Sequence, residues 1–245
     1  MKWSREYSVN INDTDVSGIV SASALFRFMQ DAGNRALEED KPSFSELYDR
    51  GLTFILCRLR MSSYAPLYAH DVITVETWAC ESKGVQFNRC FRILRDGMIV
   101  CEAVSIWALC GIHDKRIHRA SEIETSYRTD EMLELDMPTH IKIPESAAIS
   151  LKGEREVVYA DIDLNGHMNN TRYPDILCSY LGQSMKNERV ISFAISFANE
   201  APLGDSIKYY SGVSDGIFYV RSVRRDGKTN AEAEIILEST ANPED

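Results

Sequence analysis

A chain of 245 residues, 44% hydrophobic and 26% charged, has room for two modest cores and the balance of a soluble globular protein. Its formal net charge of −10 argues against general nucleic-acid binding, and no apolar run approaches the ~20 residues that a membrane helix needs. The six cysteines form no C-x-x-C pair, which argues against zinc ribbons and thioredoxin chemistry and for small buried thiols in a reducing compartment.

In chain order, residues 5–11 alternate as a strand and 12–18 have loop chemistry. From residue 23 the positions Leu25, Phe26, Phe28, Met29, Ala32, Ala36 and Leu37 fall at helical spacing, and 42–51 predicts a short extra helix closed by Gly51. Residues 52–64 and 71–80 read as strands, while 85–94 and 98–110 flank Asp96-Gly97, a strong hairpin signal. Residues 113–152 are polar, contain Pro138 and Pro144, and predict an interdomain connection. There follow a strand at 156–160, a second helix to about residue 186, and strands at 190–198, 206–213, 217–223 and 231–238. Asp226-Gly227 supplies another hairpin turn, and the tail 241–245 is expected to fray.

Strand, loop, long helix and several antiparallel strands thus occur twice. Asp15-Val16-Ser17-Gly18-Ile19 precedes the first helix as Asp163-Leu164-Asn165-Gly166-His167 precedes the second. Ala65-Pro66-Leu67, with Asp71 and Ile73 beyond it, echoes Ala201-Pro202-Leu203, with Asp205 and Ile207. Arg95-Asp96-Gly97 echoes Arg225-Asp226-Gly227. Such matches in one order indicate an internal duplication of a unit of roughly 100 residues.

The differences between the copies are informative. Asn165 stands where the first copy has Ser17, His167 where it has Ile19, and Glu200, before the Ala-Pro-Leu run, where it has Tyr64. One copy therefore holds Asp163, Asn165, His167 and Glu200, and the other keeps Asp15 alone. A purely structural loop has no reason to lose its reactive groups in one copy. Asn169 or Asn170 is a good N-cap, so the set gathers at a helix N-terminus, whose free amides suit an anion or a developing oxyanion.

A D-x-N-x-H-x-N-N run leading into a helix, here within DIDLNGHMNNTRY, resembles the acyl-acyl carrier protein thioesterases, a double-hotdog family of fatty-acyl chain terminators. The helix FRFMQDAGNRALEE, the strand TVETWACESKG and the hairpin RDGMIVCEAVSIWAL extend the resemblance over nearly the whole chain. It implies an α+β fold of two tandem hotdog units, each a long helix against a curved antiparallel sheet, packed as an intramolecular pseudo-dimer. It also implies thioester hydrolysis with Asp163, Asn165, His167 and Glu200 as the active site. Where a cysteine often follows the glutamate in plant members this chain has Ala201, which excludes a thiol nucleophile there. No plastid transit peptide or signal-peptide h-region stands at the N-terminus, so the expected location is cytoplasmic.

Asp163 then serves as base or direct nucleophile, Asn165 orients the water or the carboxylate, His167 and Glu200 polarise water or relay protons, and amides at the start of the second helix hold the oxyanion. The expected units are 1–113, non-catalytic and shaping the acyl chain, a connection at 114–152, and 153–245, catalytic. Phe28 and Met29 are the expected chain-length residues on the first helix. Arg221, Arg224 and Arg225 are an expected docking patch for acidic acyl carrier protein. An acyl-CoA thioesterase and a non-catalytic lipid-binding hotdog are the alternatives. No cofactor, metal, nucleic acid or membrane span is expected, and a homodimer is allowed. Gly212-Val213-Ser214-Asp215-Gly216 fits G-x-S-x-G, but strand-like runs flank it and no histidine follows His167, so a hairpin turn is the better reading.

Overall fold

The computed structural model describes residues 2–127 and 129–240; the tail expected to fray lies outside them. The alternating runs of the first half form β1 (Trp3–Ser8), β2 (Leu52–Ser63), β3 (Val72–Ala79), β4 (Phe87–Arg95) and β5 (Met98–Gly111), bonded in the order β1-β3-β4-β5-β2. A short strand, β6 (Ile117–His118), pairs with β5. The second half forms β7 (Ser150–Glu156), β8 (Glu188–Phe197), β9 (Ser206–Ser214), β10 (Ile217–Arg224) and β11 (Thr229–Ser239), in the order β7-β9-β10-β11-β8. Numbered from its own first strand, each half has the same order, so the duplication read from short motifs is a duplication of topology. β2 and β8 pair antiparallel, with Arg58 opposite Ser196 and Ser62 opposite Ser192, and fuse the halves into one sheet. The α+β architecture of two tandem hotdog units is therefore the observed one.

Helix α1 (Ala22–Glu39) starts where Ser21 accepts a hydrogen bond from the Ala24 amide. It buries Leu25, Phe26, Met29 and Leu37, with small Ala24, Ala32 and Ala36 letting the backbone approach the sheet. Phe26 meets Phe193 of β8 edge-on at 5.5 Å, so α1 packs across the seam between the halves. The expected short helix is α2 (Phe44–Asp49), closed at its start by a Ser43–Glu46 capping box. In the Asp96-Gly97 turn both residues have positive φ, 52° and 76°, as a two-residue hairpin of this twist requires.

The second helix is shorter than its apolar spacing predicts. A single 3-10 turn at Asn170–Arg172 runs into α3 (Tyr173–Cys178), which ends eight residues before the expected Lys186. The buried pattern continues through Leu181, but the chain there is a turn. The Ser179 hydroxyl bonds back to the Asp175 carbonyl, Ser211 of β9 donates to the Tyr180 carbonyl at 2.6 Å, and Gly182 takes a φ of 82°. Tyr180 stacks on Tyr209 at 4.2 Å, over a position where Gly153 leaves room for its ring. The two helix starts also lock together: Asp175 accepts from Ser21 Oγ and the Ser23 amide, and the Asp175 amide donates to Ser23 Oγ, each at 3.0 Å.

Two further expectations change. The strand placed at 156–160 lies earlier, as β7, and Tyr159–Asp161 is a 3-10 turn. The polar connection is more than a tether. Leu133, Leu135 and Met137 cover Trp78, Cys80, Cys90 and Val104 on the outer face of the first half, and Ile141, Ile143 and Ile149 cover Ala194 and Tyr219 on the second. Trp78 Nε1 donates to the Glu131 carbonyl at 2.8 Å, and Arg58 to the carbonyls of Pro138 and Thr139. Apolar residues spaced through a polar stretch give no helix or strand period, which is why the strap reads as a linker.

Candidate functional site

Residues 163–166 form a tight turn in which the Gly166 amide donates to the Asp163 carbonyl at 3.0 Å, and Gly166 takes a φ of 75°. The Asp163 amide then donates to the His167 carbonyl at 3.0 Å, and Asp163 Oδ1 accepts the Asn165 amide at 2.9 Å. The first copy repeats this bond for bond: Gly18 to Asp15 at 3.0 Å, Asp15 to Ile19 at 2.8 Å, and the Ser17 amide to Asp15 Oδ1 at 2.8 Å, with Gly18 at φ 74°. A carboxylate opening such a turn is a conformational device in its own right. This is why Asp15 persists in the copy that has lost the rest. Burial pushes the Asp15 carboxyl above its ordinary value, against the pull of the Ser17 and Ile19 amides.

Beyond the turn, His167 Nε2 lies 3.0 Å from Glu200 Oε2, with the histidine side chain 26% and the glutamate 52% exposed. Lys115 Nζ approaches Glu200 at 3.9 Å. The pair is held by backbone: His167 bridges Pro202, and the Met168 amide donates to the Ala201 carbonyl at 2.8 Å. Asn169 is the N-cap expected, its Oδ1 accepting the Thr171 amide at 2.9 Å. That bond, with Arg172 donating to the Asn169 carbonyl at 2.9 Å, occupies two of the amides expected to hold an oxyanion. Asp161, nearest the start of the motif, is structural: buried, it pairs with Arg155 at 2.7 Å and receives the Val158 amide.

Register corrects two comparisons between the copies. Val20 donates to the Leu67 carbonyl at 2.8 Å where Met168 donates to that of Ala201, and Ile73 lies opposite Arg95 where Ile207 lies opposite Arg224. The counterpart of Glu200 is therefore Pro66, two residues from the Tyr64 that the Ala-Pro-Leu runs suggest. The counterpart of Arg95 is Arg224, because the second hairpin loop has an extra residue. Each of these arginines holds the aspartate just before the preceding strand, Arg95 to Asp71 at 2.9 Å and Arg224 to Asp205 at 2.8 Å. The first copy still lacks a carboxylate at the Glu200 position.

Asp163 and Asn165 open onto a cavity of about 980 Å³ whose other walls belong to the first half, among them Gly33, Leu37, Phe54, Phe87, Phe91 and Trp107. The pseudo-equivalent crevice, where the Asp15 loop faces Cys178, Met185 and Val190 of the second half, holds about 390 Å³. The large crevice thus takes its loop from one half and its opposite walls from the other, while the small one is walled by both halves. His167 and Glu200 stand beside the large cavity rather than on its wall.

The other expected residues fall differently. Met29 is 1% exposed in the core and Phe28 packs edge-on to Tyr7 at 5.6 Å; neither lines the cavity. Bulky apolar side chains on α1 were the natural choice, but those are the ones the core takes. The face of α1 on the cavity carries, beside Leu37, Gln30, Gly33 and Asn34, whose polar or absent side chains gave no signal. Arg221 pairs with Glu232 at 2.7 Å and Arg224 with Asp205, so much of the expected basic patch is neutralised within the chain; Arg225 reaches the Gly204 carbonyl at 3.3 Å. Ser214 sits at the β9–β10 turn, bonded to Ser146 Oγ at 2.8 Å and to Asp215, which is the hairpin reading. The Cys178 thiol is buried and pushed far above its ordinary range by desolvation. Among the described residues, no group of three or more His, Cys, Asp or Glu is placed to hold a metal, and no helix is long and apolar enough to cross a membrane.

Two family models match the chain. The acyl-ACP thioesterase N-terminal domain matches residues 1–127, and the C-terminal domain matches 145–239. A chloroplastic palmitoyl-acyl carrier protein thioesterase of Arabidopsis thaliana is 23% identical over 167 residues, 64% of this chain and 40% of its own length. The chloroplastic oleoyl-acyl carrier protein thioesterase 2 of the same plant is 27% identical over 138 residues, 50% of this chain and 36% of its own length. The chain thus spans about 40% of the length of the curated relatives it matches. Among solved structures, an acyl-ACP thioesterase from Bacteroides thetaiotaomicron superposes with a TM-score of 0.83 at 20% identity, covering 96% of this chain and 97% of that one. The 12:0-ACP thioesterase from Umbellularia californica gives 0.77 at 18% identity, covering 97% of each. Two tandem units of one topology, matched end to end by the two family models, make this chain a member of the acyl-ACP thioesterase family.

Proposed function

We propose that the chain hydrolyses a fatty acyl thioester carried on acyl carrier protein, releasing the free fatty acid, with catalysis in the second unit and the acyl chain held by the first. The observation that carries this reading is the Asp163–Asn165 turn at the mouth of the cavity of about 980 Å³, in the copy that also holds the His167–Glu200 pair. A thioester is activated toward hydrolysis, because sulfur donates poorly into the carbonyl and a thiolate leaves readily. Asp163, fixed through one oxygen by the Asn165 amide, acts as base toward a water or attacks the carbonyl itself. The Asn165 carboxamide and the backbone at Asn170, both on the cavity wall, are the donors available to the tetrahedral oxyanion. His167, steered by Glu200, relays the proton taken from the attacking water to the leaving thiolate. No metal or cofactor enters this scheme. Fatty acid synthesis in the cytoplasm is the setting that goes with it.

A second reading, acyl-CoA hydrolysis, is favoured by the internal neutralisation of Arg221 and Arg224, which weakens the surface expected to receive an acidic carrier. Thiol release from matched acyl-acyl carrier protein and acyl-CoA substrates tests both. A higher kcat/KM on the carrier protein supports the proposal; faster turnover of the CoA ester gives the second reading. No release from either over a range of chain lengths refutes both and leaves a non-catalytic lipid binder.

A further inference from the structure

The inner face of β4 presents Phe87, Arg89 and Phe91 to the large cavity in period-two alternation. The middle position should be apolar, and it holds a guanidinium. Burying such a charge is costly unless a carboxylate or several acceptors receive it. Arg89 Nη1 donates to Thr77 Oγ1 at 3.2 Å, and Thr77, fully buried, gives its own proton to the Cys90 carbonyl. Among the described residues no carboxylate forms an ion pair with Arg89; Asp40 and Tyr127 favour its charge from a distance, while desolvation pushes it below its ordinary value. Five N–H donors against one such acceptor leave capacity facing the cavity. The helix opposite comes close to this face at Gly33. A Cβ at Gly33 would stand 3.6 Å from Arg89 Cδ and 3.3 Å from Phe91 Cε1, and Gln30 and Asn34, on the same face, bring carboxamides where a hydrocarbon cavity would have apolar groups.

We propose that Arg89 determines substrate specificity by receiving an oxygen substituent on the acyl chain, a hydroxyl or a carboxylate, so that the preferred chain is oxygenated rather than plain. This rests on the thioesterase reading above. The test is thiol release from plain, 3-hydroxy, ω-hydroxy and ω-carboxy acyl thioesters of one chain length, with the wild type and with Arg89→Met, which keeps the aliphatic stem. We expect at least one oxygenated chain to exceed the plain chain tenfold or more in kcat/KM, Arg89→Met to reduce that ratio by tenfold or more, and Arg89→Lys to restore part of it. The scale is that of losing a hydrogen bond to a charged group. A gain confined to the ω-carboxy chain identifies a carboxylate ligand; a gain for a hydroxylated chain identifies a hydroxyl. Calorimetric binding of the corresponding fatty amides, which carry no charge at the thioester end, is read in parallel. If nothing is hydrolysed, the thioesterase reading fails, and the amides still decide the role of Arg89. The proposal is overturned if the ratio between oxygenated and plain chains is the same in wild type and Arg89→Met, or if the variant weakens all chains equally.

Discussion

Asp163 holds a turn and, under the proposed function, also carries charge to the thioester, and a pair of substitutions separates the two roles. In Asp163→Asn the carboxamide oxygen still accepts the Asn165 amide now bonded at 2.9 Å, so the turn survives. The bond is exposed and worth about 1 kcal/mol net, and weakening it by neutralising the acceptor costs less than that. At roughly 2–4 °C per kcal/mol for a chain of this size, Asp163→Asn should melt within about 3 °C of the wild type. Asp163→Ala should lose the whole bond and melt lower. The effect on turnover should be far larger and nearly the same for both, a fall in kcat of about 10²–10⁴-fold, or about 3–5 kcal/mol. Asp15→Asn and Asp15→Ala are the controls, since Asp15 makes the same turn without the chemistry. Melting curves and steady-state thiol release on the four variants measure both axes. Retention of kcat within about threefold in Asp163→Asn, or an equal loss in Asp15→Asn, would refute the division of roles.

Because burial raises the Asp15 carboxyl, its ionisation opposes folding. The contribution is neutral below the unfolded value near ~3.9 and becomes a penalty as pH rises through the higher folded value. Asp15→Asn should therefore gain stability over the wild type near neutrality, and the gain should vanish on acidification; a pH-independent difference in Tm sinks this. Ser214→Ala and Cys178→Ala should keep most of the activity, and a thiol-alkylating reagent should not inactivate stoichiometrically; loss in Ser214→Ala with a native circular dichroism spectrum would restore a serine nucleophile. On the cavity face of α1, Asn34→Phe should shorten the preferred acyl chain, with a loss of about fourfold in kcat/KM for each methylene excluded at ~0.8 kcal/mol, while Phe28→Trp on the Tyr7 side should leave the chain-length profile alone. Arg225→Glu should raise KM for acyl-acyl carrier protein more than for acyl-CoA and steepen at low salt, whereas Arg224→Glu, which releases Asp205, should impair both; equal effects of Arg225→Glu on the two substrates place docking elsewhere.

The duplication was legible because it survives in turn residues, whose backbone requirements do not drift. Gly18 and Gly166 keep their positive φ, and Asp15 and Asp163 their amides. The same motifs misled by two residues at the Ala-Pro-Leu runs, because identical letters need not share a ladder position, and hydrogen-bond register is what defines equivalence. The second helix was overlong in prediction because the partly buried Tyr180 and the buried Leu181 continue the helical spacing while a hydroxyl from β9, that of Ser211, fixes the Tyr180 carbonyl in a turn. A contact between residues 31 positions apart leaves no local trace. The cavity wall was illegible for a related reason: a wall is defined by what is missing, and Gly33 and Asn34 look in sequence like surface helix.

The crossing of loop and wall between the halves has a consequence for descent. In an assembly of two identical chains, every substitution lands twice, so a change that ruins one crevice ruins both. Here the halves belong to a single chain and meet at β2 and β8, so each crevice can change without the other. The crevice of about 390 Å³ lacks Asn, His and Glu at the matching points, while the one of about 980 Å³ carries Arg89 on its wall without a matching arginine being required across the seam. Under the proposed function, a single chain lets one half specialise in grip and the other in reaction.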